Sequence, residues 1–396
     1  MVLRGAAARR VKAGMHYIVV NLVASFLFLI GVALMYGVAG TLNMADLTGQ
    51  VAALSPDDRT LFEVGAAILG VAFLIKAGSW PLNLWLPDTY SAAIAPVAAA
   101  FAMLTKVGVY AVMRIGTLMS MEEAAASMLG PAFFYIGMGT LVAGSIGMLA
   151  AQQLARVVSY SLIVSTGIML AALGLGTEAV TAPVLFYLIA SVLTSAAFFL
   201  LTGVTERTRQ FGSTEVAVQA PDPTPPRPHY VAFGVREPDP YSTEDEVGVA
   251  IPAAMAFLGL VFVCCVLLVA GLPPLPGFVA KLAVLVSAIG SAPATDMVTH
   301  AWVLTAAVLA TGIVSVIALT RIGMNLFWAA SERTPPRLRM LEAVPLGALV
   351  VVALALGAAA SPVMTYLEAT ARSLHEPQTY IDSVLVLRPQ IDEGAP

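Results

Sequence analysis

Long apolar stretches separated by short polar segments dominate the sequence. A membrane-spanning helix needs about 20 mostly apolar residues. Nine stretches have that length, at residues 16–37, 61–86, 94–116, 127–149, 156–176, 180–203, 251–289, 300–328 and 341–366. The pattern therefore predicts an all-α, polytopic membrane helix bundle with about nine spans.

Two of these stretches contain helix-breaking residues at membrane depth. They are the second and the seventh, with breaks at Gly78, Pro81, Pro87, Gly271, Pro273, Pro274, Pro276 and Gly277. Non-helical backbone at that depth persists only where protein buries it or a cavity adjoins it. Broken helices at related positions in two halves point to a transporter's site, so we predict two discontinuous helices. An ordinary kink is the alternative for any one proline taken alone.

Composition excludes a soluble domain and offers no redox chemistry. The 396 residues are 59% hydrophobic and 11% charged, whereas a soluble domain has roughly 25% charged residues. Cys264 and Cys265 are adjacent in an apolar run and favour a packing role. The sequence has no CxxC, HExxH or paired histidine, so we predict no metal, no cofactor and no nucleic-acid partner.

Three of the four lysines lie inside apolar stretches. They are Lys76, Lys106 and Lys281, in the second, third and seventh spans. An ionisable group at this depth usually marks an ion path or a proton relay, and lysine releases its proton readily when desolvated, whereas arginine stays charged. We therefore predict proton translocation through these three residues. The alternative is that their side chains snorkel to the membrane surface.

Countercharges and other polar groups are scarce in the spans. Glu63 and Asp88 lie at the two ends of the second span, and no carboxylate lies deep in any span. The lysines therefore work nearly neutral or find a partner outside this chain. Candidates for lining a hydrated path, which could equally hold helices together, are Asp88, Ser165, Thr166, Tyr187, Ser191, Thr194 and Ser195.

Positive charges predict the topology. If residues 1–15 form a basic juxtamembrane segment in the cytoplasm, 13 of the 20 arginines and lysines lie on that side and four lie outside, as the positive-inside rule requires. The tail 367–396 is then external. The one long loop, 206–250, has seven prolines and eight acids against four arginines, which predicts an extended cytoplasmic linker without a fold of its own.

Three segments resemble the proton-conducting membrane subunits shared by respiratory complex I and the Mrp-type cation/proton antiporters. They are FLIKAGSWPLNLWLPDTYSAAIAPVAAAFAMLTKVGVYAVMR (73–114), RVVSYSLIVSTGIML (156–170) and AGLPPLPGFVAKL (270–282). In complex I subunits the positions that match Asn83 and Tyr90 are commonly histidine. With the long loop, their replacement makes this chain look more like the D subunit of the Mrp or Pha antiporters.

The resemblance implies two inverted five-span repeats, each with a broken helix. Residues 16–117 would be the remainder of the first repeat, 127–329 the second, and 341–366 a last span. It also implies a hydrophilic axis in which Lys76 matches the lysine of a glutamate–lysine pair, Lys106 the central lysine and Lys281 the terminal one. The matching glutamate belongs to a span before residue 1, so we expect about five further spans to be encoded upstream. A histidine common in the family is Ala190 here.

The function implied is that of a membrane subunit of a multi-subunit monovalent cation/proton antiporter in the bacterial inner membrane. Its partners would be other membrane subunits, protons, Na⁺ or K⁺, and lipid. One alternative is a proton-pumping subunit of a complex I-like or hydrogenase-like oxidoreductase, driven by redox subunits elsewhere. Another is a scaffold subunit with an inactive path.

Overall fold

The structure is a computed structural model that describes residues 8–119, 123–218, 253–291, 295–328, 339–376 and 378–385. Every regular element in those ranges is helical, as the apolar pattern predicts. The helices in chain order are α1 (Ala8–Ala39), α2 (Met44–Ala52), α3 (Pro56–Ala77), α4 (Trp85–Ala92), α5 (Ala95–Met119), α6 (Glu123–Ala150), α7 (Leu154–Leu173), α8 (Glu178–Val218), α9 (Ala253–Ala270), α10 (Pro276–Gly290), α11 (Thr295–Gly323), α12 (Met340–Ala358), α13 (Ala360–His375) and α14 (Gln378–Leu385).

Nine helices in the described ranges are long and apolar enough to cross a membrane: α1, α3, α5, α6, α7, α8, α9, α11 and α12. This confirms the predicted all-α bundle of about nine spans. Helix α7 is the centre of the bundle, with 89% of its most apolar window buried, against 17% for α1 and for α12. Polar side chains in the membrane are therefore best buried away from lipid when they lie beside α7.

Glycines let α6 and α7 approach closely. A Cβ atom added to Gly167 of α7 would lie 2.5 Å from the backbone nitrogen of Leu141 and 2.8 Å from the carbonyl oxygen of Gly137. Small residues at such crossings let two membrane helices pack backbone against backbone, which drives their association where no hydrophobic effect operates. Helix α7 is thereby fixed in register against α6.

Two crossings are interrupted. Helix α3 ends at Ala77 with Gly78 in the left-handed conformation (φ 69°), and α4 begins at Trp85. Helix α9 ends at Ala270 with Gly271 also left-handed (φ 77°), and α10 begins at Pro276. Glycine has no Cβ penalty in this conformation, so it ends both helices.

Two segments differ from the sequence-based expectation. The last apolar stretch, predicted at 341–366, is two helices, because α12 ends at Ala358 and α13 starts at Ala360. Pro362 lies in the first turn of α13, where proline is tolerated, and it cannot continue α12. The predicted linker 206–250 begins as helix, since α8 continues to Val218; residues 219–250 lie outside the described ranges.

The two ends of the bundle carry different polar contacts. At one end Arg156 at the start of α7 pairs with Asp88 of α4, and Arg321 of α11 donates to the carbonyls of Leu149 (2.8 Å) and Ala151 (2.6 Å). At the other end the C-terminal helices return to the bundle. There Arg114 of α5 lies over the ring of Tyr380 at 4.8 Å, and Thr181 of α8 contacts His375 of α13 at 2.9 Å.

Candidate functional site

Lys106 lies in the middle of α5 and is one of the most deeply buried side chains, with 1% of its surface exposed. Its Nζ donates to Ser165 Oγ (2.6 Å), Thr166 Oγ1 (3.0 Å) and the carbonyl oxygen of Leu162 (3.3 Å), all on α7. These acceptors fill the three donor positions of an ammonium group. Because all three acceptors are neutral, they can hold the nitrogen as an ammonium or as an amine.

Lys281 lies in the second turn of α10, just after the second helix break, and has 8% of its surface exposed. Its side chain turns back across the break. Nζ donates to the carbonyl oxygens of Val269 (2.7 Å) and Ala270 (3.1 Å), the last two residues of α9. Lys281 therefore joins α10, which carries it, to the end of α9 across the break.

Lys76 lies in the last turn of α3, before the first break, and is partly buried. Its Nζ donates to Asn21 Oδ1 of α1 at 2.5 Å. The amide of Asn21 is oriented by a second hydrogen bond, from Nδ2 to the carbonyl oxygen of Tyr17 (2.9 Å). Sequence analysis missed Asn21, although an asparagine in an apolar span was a visible signal.

A cavity of about 30 Å³ adjoins Lys281 and lies next to the α7 residues that hold Lys106. A buried water needs roughly 10–15 Å³ on this measure, so the cavity has room for about two waters. Lys281 is part of its wall, and Ser165, which holds Lys106, is part of the wall too. Hydroxyl-bearing residues make up much of the rest, from α7, α8 and α11: Ser161, Tyr187, Ser191, Thr194, Ser195 and Ser315.

The predicted path-lining residues fall into three groups. Ser165, Tyr187, Ser191, Thr194 and Ser195 line the cavity, together with Ala190. Thr166 contacts Lys106 and is not on the cavity wall. Asp88 lies apart, paired with Arg156.

Two cavity residues were missed by sequence analysis. Ser161 and Ser315 both line the cavity, but each is a single serine in an apolar helix, and such a serine is common in membrane proteins as a helix contact. Only the packing of α7, α8 and α11 around the cavity distinguishes them.

The residues predicted to break the helices lie at different places. Gly78 and Pro81 lie between α3 and α4, and Gly271, Pro273 and Pro274 lie between α9 and α10. Pro87 lies inside the first turn of α4, and Pro276 and Gly277 are the first two residues of α10. These last three residues start the second helical segment, where proline needs no N–H donor.

Carboxylates do not accompany the lysines in the described ranges. The ion pairs there include Arg59 with Glu63 and Arg156 with Asp88, and neither Lys76, Lys106 nor Lys281 forms an ion pair with an acid among those residues. Each of the three lysines is thus held by neutral oxygen atoms.

Comparison with known families identifies the group to which these features belong. The model of the family described as "NADH:quinone oxidoreductase/Mrp antiporter, TM" matches residues 1–218, which is more than half of the chain. The chain belongs to this family. The resemblance seen in the sequence motifs is confirmed, and the protein is a multi-pass membrane protein of that family.

Curated relatives in the family carry antiporter names. A probable K⁺/H⁺ antiporter D subunit from Rhizobium meliloti (strain 1021) is 47% identical over 391 residues, which cover 97% of this chain and 70% of the relative. A Na⁺/H⁺ antiporter D subunit from Alkalihalophilus pseudofirmus is 29% identical over 397 residues, with 97% and 70% coverage.

A solved structure shares the fold. A chain of the Mrp complex from Dietzia sp. DQ12-45-1b matches with a TM-score of 0.73 and 24% identity, over 96% of this chain and 71% of that one. At this identity the match establishes the architecture of the bundle.

Proposed function

We propose that this chain is a membrane subunit of a multi-subunit monovalent cation/proton antiporter in the bacterial inner membrane. The names of the curated relatives support antiport over redox-driven pumping, since one of them is 47% identical and is named as part of a K⁺/H⁺ antiporter. The partners would be other membrane subunits, protons and a monovalent cation. Protons would move along Lys76, Lys106 and Lys281.

The observation that carries the proposal is a hydroxyl-lined cavity bordered by Lys281 and by Ser165, the hydrogen-bond partner of Lys106. Ser165 accepts a hydrogen bond from Lys106 at 2.6 Å and borders the cavity, and Lys281 borders it as well. A proton leaving Lys106 can pass by way of the Ser165 hydroxyl to cavity water, and from there to the amine of Lys281. The first step follows the hydrogen bond between Lys106 and Ser165, and water in the cavity would carry the rest, so no charged side chain has to cross lipid.

The neutral surroundings of the lysines suit such a relay. A carboxylate fixed beside Lys106 would favour the ammonium and resist proton release. Hydroxyl and carbonyl oxygens accept from the ammonium without adding a full negative charge, and a hydroxyl can also donate to the amine that remains. Lys106 can therefore alternate between its two forms in one place.

Helices α3 and α5, which carry the first two lysines, pack closely against each other. A Cβ atom added to Gly108 of α5 would lie 2.9 Å from the backbone nitrogen of Ala77 and 3.0 Å from the carbonyl oxygen of Phe73. Gly108 is two residues from Lys106, so the Lys106 side chain points away from α3 and reaches α7 instead. We propose Lys76 as one end of the relay and Lys281 as the other, with water carrying the proton between Lys76 and Lys106.

We further propose the segment layout predicted above, with two repeats at 16–117 and 127–329 and the loop 206–250 in the cytoplasm. The clustering of Asp88, Arg156 and Arg321 at one end of the bundle supports a common cytoplasmic side. The contact of Arg114 with Tyr380 supports an external C-terminal tail. Labelling from outside intact cells, in a chain without its native cysteines, should reach Gln390→Cys and spare Glu215→Cys. The reverse pattern would overturn this orientation.

The function is tested by cation-dependent proton movement in inverted membrane vesicles that contain the whole complex. Lys106→Ala should lose activity by roughly hundred-fold or more, the range of effects of proton-transfer groups. Lys12→Ala is the matched control, because Lys12 is exposed on α1, and it should keep normal activity. Choline chloride in place of sodium or potassium chloride should give no proton movement. Full activity in an assembled Lys106→Ala complex would refute the relay.

A further inference from the structure

The end of α9 presents two carbonyl oxygens that the backbone leaves without a donor. In a continuous helix the carbonyls of Val269 and Ala270 would accept from the N–H groups four residues later. Those positions are Pro273 and Pro274, and proline has no N–H. Among the described residues the hydrogen bonds to these two carbonyls come from Lys281, at 2.7 and 3.1 Å.

The backbone next to these two carbonyls leaves space for the ammonium group of Lys281. Gly271 is left-handed (φ 77°), and a Cβ atom there would lie 2.9 Å from Cδ and 3.1 Å from Nζ of Lys281. The end of the Lys281 side chain therefore packs directly against the backbone of Gly271, which has no side chain in the way. A positive charge at this place is also favoured by the negative end of the α9 dipole.

The cavity beside Lys281 adds further oxygen atoms of the kind that bind a cation. Val269 and Lys281 lie on its wall with the hydroxyls of Ser191, Thr194, Ser195 and Ser315, and there is room for about two waters in 30 Å³. Unwound carbonyls and helix C-termini at a break are the oxygen groups that transporters use for small monovalent ions. The ammonium thus occupies a place whose chemistry fits a sodium or potassium ion.

We propose that the carbonyls of Val269 and Ala270 are part of a monovalent-cation site, which the ammonium of Lys281 fills in this structure and a sodium or potassium ion fills once the lysine has released its proton. The proposal rests on the proposed antiport function and places its cation. Two positive charges cannot share this site, because they repel strongly where water is excluded. Proton and cation therefore compete for the same oxygens.

The exchange balances in charge. One N–H bond of Lys281 breaks, and the proton leaves the cavity for bulk water by way of cavity water and hydroxyls. The neutral amine leaves the carbonyls, and a cation that has lost part of its water shell takes its place. One positive charge leaves the site and one enters. Of the residues on the cavity wall, Tyr187 is the other titratable group.

The test measures proton release when cation is added to the purified complex in weak buffer. Because cation and proton share ligands, sodium or potassium chloride should release protons, and choline chloride should not. Lys281→Met should release about one proton per complex less than the wild type. Binding of radioactive sodium or rubidium attributable to this site, which in the wild type should weaken about tenfold per pH unit of acidification, should lose its pH dependence in the variant.

A matched variant separates this site from the relay. Lys106→Met removes the other buried lysine and leaves the α9 carbonyls intact, so it should lose transport and keep the cation-induced proton release. Lys281→Gln serves as a second neutral variant if Lys281→Met does not assemble. Equal proton release in the wild type and both Lys281 variants would overturn the site. A wild-type complex without cation-dependent proton movement in vesicles would instead refute the proposed function.

Discussion

The two broken helices carry their lysines on opposite sides of the break. Lys76 lies in the last turn before the break between α3 and α4, and Lys281 lies in the second turn after the break between α9 and α10. Lys76 is partly buried, whereas Lys281 has 8% of its surface exposed. The same local device, a left-handed glycine followed by prolines, therefore yields two different surroundings.

The partners of the two lysines differ in kind. Lys76 donates to the side chain of Asn21 on another helix, and Lys281 donates to the backbone of the helix that precedes its own break. An amide partner can be removed or converted to a carboxylate by one substitution. Backbone carbonyls can be changed only through the geometry of the break. The surroundings of Lys76 are therefore easier to alter by substitution than those of Lys281.

The largest expected effect is at Lys106, the lysine on a continuous helix through which both broken helices would exchange protons. Lys106→Arg should lower antiport roughly hundred-fold, because arginine keeps its proton at any working pH. Lys106→His should restore part of the activity, since histidine titrates near neutral pH. The measurement is cation-dependent proton movement in vesicles. Full activity with arginine and none with histidine would mean that the site needs only a fixed positive charge.

The next effect separates the two breaks by the same substitution. Alanine at Gly78 or at Gly271 carries a left-handed strain of about 1–2 kcal/mol. At Gly271 the new Cβ meets Lys281, at 2.9 Å from Cδ, whereas at Gly78 it meets the side chain of Leu86 at 2.5 Å. Gly271→Ala should therefore lower transport by about tenfold beyond its effect on stability, as a shift of about 1.4 kcal/mol would do.

Gly78→Ala should act mainly on the thermal stability of the complex, because the residue it meets, Leu86, is a fully buried packing residue. Leu86 is not one of the residues that would carry protons. Transport and thermal denaturation are measured on both variants. If Gly78→Ala lowers transport as much as Gly271→Ala at equal stability, the two breaks are equivalent and the contrast between them fails.

A smaller effect is expected at Asn21, the partner of Lys76. Asn21→Leu removes a hydrogen bond from a partly exposed ammonium, worth about 1 kcal/mol, so transport should fall about fivefold. Asn21→Asp supplies a carboxylate, which favours the ammonium; activity should then persist to higher pH and decline at lower pH. The pH profile of antiport measures this. An unchanged profile in Asn21→Asp would exclude a role for Asn21 in setting the charge of Lys76.

Sequence reasoning located what is local and missed what depends on neighbouring helices. The lysines at Lys76 and Lys281 and the nearby glycines and prolines are visible because charge and backbone preference are properties of single residues. Asn21, Ser161 and Ser315 acquire their roles only from helices that happen to pack beside them. The end of α12 at Ala358 was missed although Pro362 signalled it, because the apolar stretch continues without a polar gap.

The smallest expected effect concerns the ion pair that holds α4, the second half of the first broken helix. Asp88 and Arg156 have 45% and 42% of their side chains exposed, so water screens the pair, and its contribution to stability is about 0.2–1 kcal/mol. Asp88→Asn keeps an acceptor for the guanidinium and should leave antiport within about twofold of the wild type. Arg156→Gln is the reciprocal control, read by thermal stability and transport. A loss of transport in Asp88→Asn comparable with that in Lys106→Arg, with stability preserved, would place Asp88 on the proton path. The first break would then contain both an amine and a carboxylate, and its difference from the second would be one of chemistry as well as of geometry.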